Sequence, residues 1–90
     1  MSLKRTVEII NERGLHARAS AKFVKVASGF DAEVIVSRDG QTVDARSIMG
    51  LMMLAAGIGS TIDIAAKGPE AEAALDALSA LIANRFDEDR

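Results

Sequence analysis

The chemistry of this chain centres on its single histidine, His16, which lies in the segment Gly14-Leu15-His16-Ala17-Arg18-Ala19-Ser20. A neutral imidazole has one unprotonated ring nitrogen that can attack phosphorus. A strand-like pattern ends before this segment and a helix-like pattern follows it, and the first N–H groups of a helix favour an anion. We therefore predict that His16 can carry a phosphoryl group. The N–H groups of Ala17 and Arg18 would orient its oxygens, and the Arg18 guanidinium would offset its charge.

Taken alone, this segment also has plainer explanations. A lone histidine is most often an ordinary surface or capping residue, and Arg18 by itself is most often a solvated helix residue. A carrier site would further have to be an accessible tip that fits one partner after another, because the partner supplies much of the positioning. A second motif is needed before the chemical interpretation outweighs these alternatives.

The composition excludes several other kinds of site. The chain has 90 residues, enough for one domain (1–90) with a single core. Its 11 basic and 13 acidic residues are scattered and give a net charge of -2, so no surface for nucleic acid is predicted. There is no cysteine, and the carboxylates are not spaced to complete a metal site around one histidine. We expect no metal and no cofactor.

No segment predicts a signal peptide or a membrane span. The N-terminal residues 1–5 lead into an alternating strand, and no apolar run approaches the roughly 20 residues that cross a bilayer. We therefore expect a cytoplasmic protein without membrane insertion.

The N-terminal half alternates between the hydrophobic period of a strand and that of a helix. A first strand ends at residues 11–14, and a helix covers Ala17–Ala27. A second strand over residues 32–37 leads to Asp39-Gly40, a strong signal for a two-residue hairpin, and residues 41–45 return antiparallel to it. The apolar residues on one face of the first strand are Leu3, Val7 and Ile9, and those on one stripe of the helix are Ala21, Val24 and Ala27, with Phe23 beside them.

In the C-terminal half, Ser47 is predicted to cap a short helix over Ile48–Leu54, and a fourth strand spans Ile62–Ala66. Gly68-Pro69 opens a last helix with a clear apolar stripe, and Arg85–Arg90 is predicted to be a frayed, charged tail. The order β-α-β-β-α-β-α suits a two-layer α/β sandwich with three helices on one face of a four-stranded sheet. The order of the strands stays open at this point. The stripe of the last helix is Ala71, Ala74, Leu75, Leu78, Leu81 and Ile82.

Two motifs in register carry a resemblance to a known family. Gly14-Leu15-His16-Ala17-Arg18 and, further along, Arg46-Ser47-Ile48-Met49-Gly50-Leu51-Met52 resemble the HPr family, the histidine-containing phosphocarriers of the phosphoenolpyruvate-dependent phosphotransferase system. The resemblance implies an open-faced sandwich with an antiparallel sheet in the order 1-4-2-3. It also implies that Nδ1 of His16 accepts a phosphoryl group from enzyme I and passes it to IIA-type proteins. The chain is then a carrier and not an enzyme.

The resemblance extends to regulation. In many bacteria an HPr kinase/phosphorylase acts on the serine that matches Ser47, so Ser47 is implied as a regulatory phosphorylation site. The commonest form of the family has proline where this chain has Ala19, and variants with this chain's residues 14–20 resemble the nitrogen-related regulatory branch. The choice between sugar transport and nitrogen regulation, and with it the downstream acceptor, stays open.

The short helix after Ser47 has more apolar residues than it can bury on one face. Most of them are expected to lie in the core. Ile48, Met49 and Met52 are expected to be exposed, because a flexible thioether suits a surface that repacks against several partners. Together with Ala21, these three are the predicted docking residues.

A second class of function stays open beside the carrier. The same order of elements is compatible with a ferredoxin-like regulatory module that binds a small ligand, with residues 57–60 lining its site and His16 incidental. A metal-dependent hydrolase is weaker, because the sequence has neither a ligand cluster nor a nucleophile paired with a base. We expect the protein to be a monomer.

Overall fold

Four strands form one antiparallel sheet in the order β1-β4-β2-β3 in the computed structural model, which describes residues 2–90. This is the order that the resemblance implies. The central strand β4 pairs with β1 through Leu3 and Ala66, and with β2 through Val34 and the same Ala66. The strands are β1 (Ser2–Glu8), β2 (Glu33–Arg38), β3 (Gln41–Asp44) and β4 (Thr61–Lys67).

The helices cover one face of this sheet and confirm the predicted open-faced sandwich. Helix α3 packs against β1 and β4, and α1 packs against both α2 and α3. On β2 the inward residues Val34 and Val36 are buried, whereas Ile35 points to the open face and is 44 % exposed. The helices are α1 (Ala17–Ala27), α2 (Ile48–Met53) and α3 (Ala71–Ala83), and a single turn of left-handed backbone (Arg85–Asp87) follows α3.

The hairpin between β2 and β3 is the turn that the sequence predicts. Asp39 and Gly40 have φ angles of 50° and 83°, and a two-residue hairpin of this type requires positive φ at both central positions. Aspartate tolerates this conformation and glycine adopts it without steric cost. Register follows from the turn, with Arg38 opposite Gln41.

The buried face of α1 differs from the predicted stripe. Ala27 is buried as expected, but Ala21 is exposed and Val24 is only half-buried. The core instead receives Ala19, Ser20 and Phe23. A serine occupies a core position here because its hydroxyl donates a hydrogen bond of 3.2 Å to the Leu15 carbonyl oxygen, which removes the cost of burying it. The hydrophobic periodicity of the sequence could not identify Ser20 as a buried position.

The prediction of a frayed tail at Arg85–Arg90 is wrong. Phe86 is fully buried, and the Lys22 ammonium donates a hydrogen bond of 2.8 Å to its carbonyl oxygen. The backbone amide of Glu12 also donates to the carbonyl oxygen of Arg90 at 2.9 Å. One aromatic ring among charged residues therefore anchors this segment to the core.

Two kinds of feature are missing from residues 2–90. None of their helices has the length and apolar character needed to cross a membrane. In the same range, no group of three or more histidine, cysteine, aspartate or glutamate side chains is arranged to hold a metal ion.

Candidate functional site

Two loops run side by side under the predicted site. The amide of Leu15, in the β1–α1 loop, donates to the carbonyl oxygen of Ala56, in the α2–β4 loop, at 3.0 Å. Gly14 has a φ of 64°, and a Cβ at this residue would lie 2.5 Å from the Ala56 oxygen and 2.8 Å from the Gly57 Cα atom. Only glycine fits this close approach. The pairing of the loops sets the position from which His16 enters α1.

His16 is the N-cap residue of α1, with extended backbone (φ −73°, ψ 180°) and no capping hydrogen bond from its side chain. The first intrahelical bond runs from the Ser20 amide to the His16 carbonyl oxygen at 2.9 Å. The amides of Ala17, Arg18 and Ala19 precede that bond and have no acceptor within residues 2–90. The first turn holds no acidic residue. These free N–H groups and the helix dipole favour an anion beside His16, as predicted.

The imidazole of His16 is held from one side. Its Nε2 atom lies 2.5 Å from Oε2 of Glu88, and the two side chains are 18 % and 15 % exposed. Nδ1 has no hydrogen-bond partner in the described part of the chain. His16 is thus less open than the accessible tip that we expected, because the C-terminal segment (residues 84–90) covers one edge of the ring. The other ring nitrogen remains available for chemistry.

Glu88 is itself held by Asn11, a residue at which the sequence predicted only the end of a strand. The buried Asn11 amide donates from Nδ2 to the Gly14 carbonyl oxygen at 2.9 Å and to Oε1 of Glu88 at 3.0 Å. Burial raises the pKa of Glu88, but the hydrogen bonds from His16 and Asn11, aided by the charges of His16 and Arg13, outweigh burial and hold this pKa below its ordinary value. Glu88 is therefore a carboxylate at neutral pH.

The C-terminal segment reaches His16 through unusual backbone. Arg85, Phe86 and Asp87 all have positive φ angles, of 55°, 53° and 65°. Each such non-glycine residue costs about 1–2 kcal/mol. The burial of Phe86 and the bonds from Lys22 and Asn11 compensate for this strain. The signal in the sequence was Phe86 itself, an aromatic residue in a stretch that otherwise looks fully solvated.

Arg18 and Arg13 differ in which surface cavities near His16 they line. The Arg18 side chain makes no hydrogen bond or ion pair with any other residue in the range 2–90. It lines a surface cavity of about 500 Å³ that also contains Arg13, Lys22 and Glu88. A second cavity of about 230 Å³ contains His16 itself, and there the cationic residue is Arg13. Arg13 is thus a candidate phosphate ligand that sequence reasoning missed.

Ser47 caps α2 as predicted, because its Oγ accepts a hydrogen bond of 3.0 Å from the Gly50 amide. Leu51 is fully buried under the helix, whereas Ile48, Met49 and Met52 are exposed, as expected. The structure adds two apolar residues that we did not predict to be exposed, Met53 and Ile58. The resulting surface, the α2 patch, consists of Ile48 (41 % exposed), Met49 (72 %), Met52 (41 %), Met53 (69 %) and Ile58 (60 %).

Comparison with known proteins places these features in a family. The family model described as "PTS HPr component phosphorylation site" matches residues 3–84. A phosphocarrier protein HPr of Cupriavidus necator is 59 % identical over 86 residues, covering 96 % of this chain and 97 % of the relative. A phosphocarrier protein NPr of Escherichia coli K12 is 44 % identical, with coverage of 99 % and 100 %. The crystal structure of HPr-C-His from Thermoanaerobacter tengcongensis superposes with a TM-score of 0.93 at 41 % identity, covering 98 % of this chain and 99 % of that one.

Proposed function

The chain belongs to the HPr family of the phosphotransferase system, and from that premise we propose that it accepts a phosphoryl group on Nδ1 of His16 from enzyme I. The group originates from phosphoenolpyruvate and is passed on to IIA-type proteins. The observation that carries this proposal is the state of the imidazole: Nε2 is bonded to Glu88, whereas Nδ1 is unpartnered within residues 2–90, and His16 is itself the N-cap residue of α1.

The transfer step needs little chemistry from the protein. The lone pair of Nδ1 forms the N–P bond, and the donor nitrogen of phosphorylated enzyme I departs with its bonding electron pair. The free amides of Ala17 and Arg18 can bind the phosphoryl oxygens, and the guanidinium groups of Arg18 and Arg13 can offset their charge. In the second transfer a nucleophile of the IIA-type protein attacks phosphorus, and His16 departs as a neutral imidazole whose Nδ1 takes the electron pair of the N–P bond.

Docking of both partners is proposed at the α2 patch and at Ala21. Ala21 is exposed on α1, and α1 packs against α2. Three methionines in the patch can change conformation at little cost when one partner replaces another. An apolar surface of this kind on a small protein fits a binding role.

Ser47 is proposed as a regulatory phosphorylation site for a kinase of the HPr kinase/phosphorylase type. Its hydroxyl caps α2, and its neighbour in the chain, Ile48, belongs to the α2 patch. A phosphate would add a charge of about -1.5 to -2 at this edge. The helix N-terminus tolerates that charge, so the modification would change docking and leave the fold intact.

One chain contains every residue of this proposed site, which supports a monomer as the working form. A cytoplasmic location is part of the proposal, because the proposed reaction requires enzyme I in the same compartment. Ala19 supports the nitrogen-related branch over sugar transport, and relatives with both the HPr and the NPr name match this chain. Parallel transfer assays with IIA proteins of the two branches distinguish them.

Family membership also favours the carrier over a ligand-binding module at residues 57–60.

The proposal is tested by incubating the protein with enzyme I, Mg²⁺ and phosphoenolpyruvate and measuring its intact mass. We expect the addition of one phosphoryl group that is lost in acid and kept in base. The His16→Ala variant should gain none. Uptake of acid-labile phosphate by that variant would contradict the assignment of His16.

A further inference from the structure

We infer that Glu88 is a positioning residue for His16: its carboxylate accepts the Nε2–H bond and thereby keeps the proton off Nδ1, the nitrogen that must attack phosphorus. The inference rests on the proposed function and extends it to a residue beyond the range 3–84 that the family model matches. Its basis is the pair of hydrogen bonds that the two oxygens of Glu88 accept.

The identity of the donor in the His16–Glu88 bond follows from the chemistry of a carboxylate. An ionised carboxylate only accepts hydrogen bonds, so Nε2 has to carry the proton. In a neutral imidazole the other nitrogen then has the free lone pair. Arg13, which is near enough to lower the pKa of Glu88, supports the ionised state. The nucleophile is thus prepared before a partner arrives.

Asn11 determines which oxygen of Glu88 faces His16. Its Nδ2 group bridges the Gly14 carbonyl oxygen and Oε1 of Glu88, which leaves Oε2 for the imidazole. Asn11 is fully buried, and its amide is oriented by backbone that also belongs to the His16 loop. The chain of contacts from Gly14 through Asn11 and Glu88 to His16 therefore fixes the ring relative to the N-terminus of α1.

The position of Glu88 is not that of a residue on a free tail. Phe86 is buried two residues earlier, and three consecutive residues before Glu88 adopt left-handed backbone. Strained backbone persists only where the surroundings hold it, and it often marks a functional site. Here the strain turns the chain after α3 so that Glu88 returns to the histidine.

During transfer the ring acquires positive charge when Nδ1 forms the bond to phosphorus. The proton on Nε2 stays in place, so no proton has to move in the step. The adjacent carboxylate stabilises the charged ring, as carboxylates do for the histidines that they orient in other sites. Glu88 affects the reaction only through His16 in this scheme.

Glu88→Gln gives the sharpest test, because it converts one oxygen into an NH₂ group. Asn11 still requires an acceptor, so the remaining oxygen faces Asn11 and the NH₂ group faces Nε2. Nε2 must then accept a hydrogen bond from this NH₂ group, and the ring proton moves to Nδ1. We expect the ¹⁵N signals of the His16 ring, the only histidine signals of the protein, to report this change of tautomer in the unphosphorylated, neutral state. The kcat for phosphoryl acceptance should fall at least about tenfold, with the KM for phosphorylated enzyme I unchanged.

Two further variants complete the test. In Glu88→Ala, water replaces the carboxylate as the partner of Nε2 and favours neither tautomer as strongly. The kcat of this variant should therefore lie between those of the parent and the Gln variant. Asp89→Asn removes the same charge from the neighbouring residue, which has no hydrogen bond in residues 2–90, and should match the parent in ring spectrum and kcat.

Unchanged ring signals in both Glu88 variants would overturn the inference. A spectrum of the parent protein with the proton on Nδ1 would overturn it as well, and this measurement does not depend on whether any variant folds. Because the spectra are recorded without phosphate, they judge Glu88 separately from the phosphocarrier proposal. Failure of the parent protein to accept phosphate from enzyme I would count against the proposed function alone.

Discussion

His16 and the α2 patch are held by different kinds of interaction. The histidine lies between a helix N-terminus and a carboxylate that is 72 residues away in the sequence, and it is mostly covered. The α2 patch depends on one local cap, the bond between Ser47 and Gly50, and on Leu51 beneath it. The residue proposed to react is therefore held by several contacts, whereas the surface proposed to meet partners is left exposed and adaptable. This division suits a carrier that performs one reaction with several proteins.

Phe86→Ala should produce the largest loss of stability, because Phe86 anchors the C-terminal segment that holds His16. Removal of a fully buried phenylalanine costs about 3–5 kcal/mol of unfolding free energy. The control is Met49→Ala in the exposed patch, which should change stability by no more than about 0.5 kcal/mol. Urea unfolding measures both variants. Equal stabilities would show that the segment is not anchored as described.

Arg18→Ala should affect transfer and leave folding unchanged. The Arg18 side chain makes no hydrogen bond or ion pair within residues 2–90, so the melting temperature should match that of the parent. Loss of one charge-assisted contact to the phosphoryl group should cost about 1.5–3 kcal/mol in the transfer step. Lys25→Ala removes the same charge from the last turn of α1 and should have no effect. Rapid-quench transfer kinetics measure both, and an Arg18 variant as fast as the parent would assign the role to Arg13.

Ser47→Asp tests whether the adaptable surface is sensitive to charge. Aspartate is itself a good N-cap, so stability should be near normal. Transfer from enzyme I should weaken about tenfold at low salt, mainly through association, because the new charge lies beside the apolar α2 patch. Gln41→Glu adds one charge at an exposed residue of the β2–β3 hairpin, outside the α2 patch, as the control. If both variants transfer equally well at low ionic strength, Ser47 is a cap and not a switch.

Ser47→Ala should have the smallest effect, because it removes only the local cap that holds α2 beneath the α2 patch. Loss of the bond to the Gly50 amide should cost about 1 kcal/mol of stability, with transfer unchanged. Ser28→Ala, at the exposed C-terminal end of α1, is the matched control and should melt with the parent. Thermal unfolding by circular dichroism measures both, and an unchanged melting temperature for the Ser47 variant would exclude the capping role.

The sequence determined the features that arise from neighbouring residues. The Asp39-Gly40 turn, the Ser47 cap, the bounds of α1 and the apolar stripe of α3 all follow from local conformational preference and from hydrophobic period. The motif around His16 predicted the N-terminus of α1 in the same way, because a helix N-terminus is a local structure. Leu81, on the predicted stripe, is only half-buried, since it lies at the edge of the packed face.

Only the tertiary structure decided how His16 is surrounded. The contacts of Glu88 with His16 and Asn11 join residues that are 72 and 77 positions apart. The cavity that Arg13 shares with His16 is also lined by residues 55–57 of the α2–β4 loop, and the buried Ser20 is satisfied by the Leu15 carbonyl oxygen. Charged and polar residues satisfy no periodic pattern when they are buried, since their burial is permitted by individual hydrogen bonds and not by hydrophobicity. The sequence around Glu88 therefore looks like a solvated tail, and its contact with His16 exists because Phe86 has a place in the core.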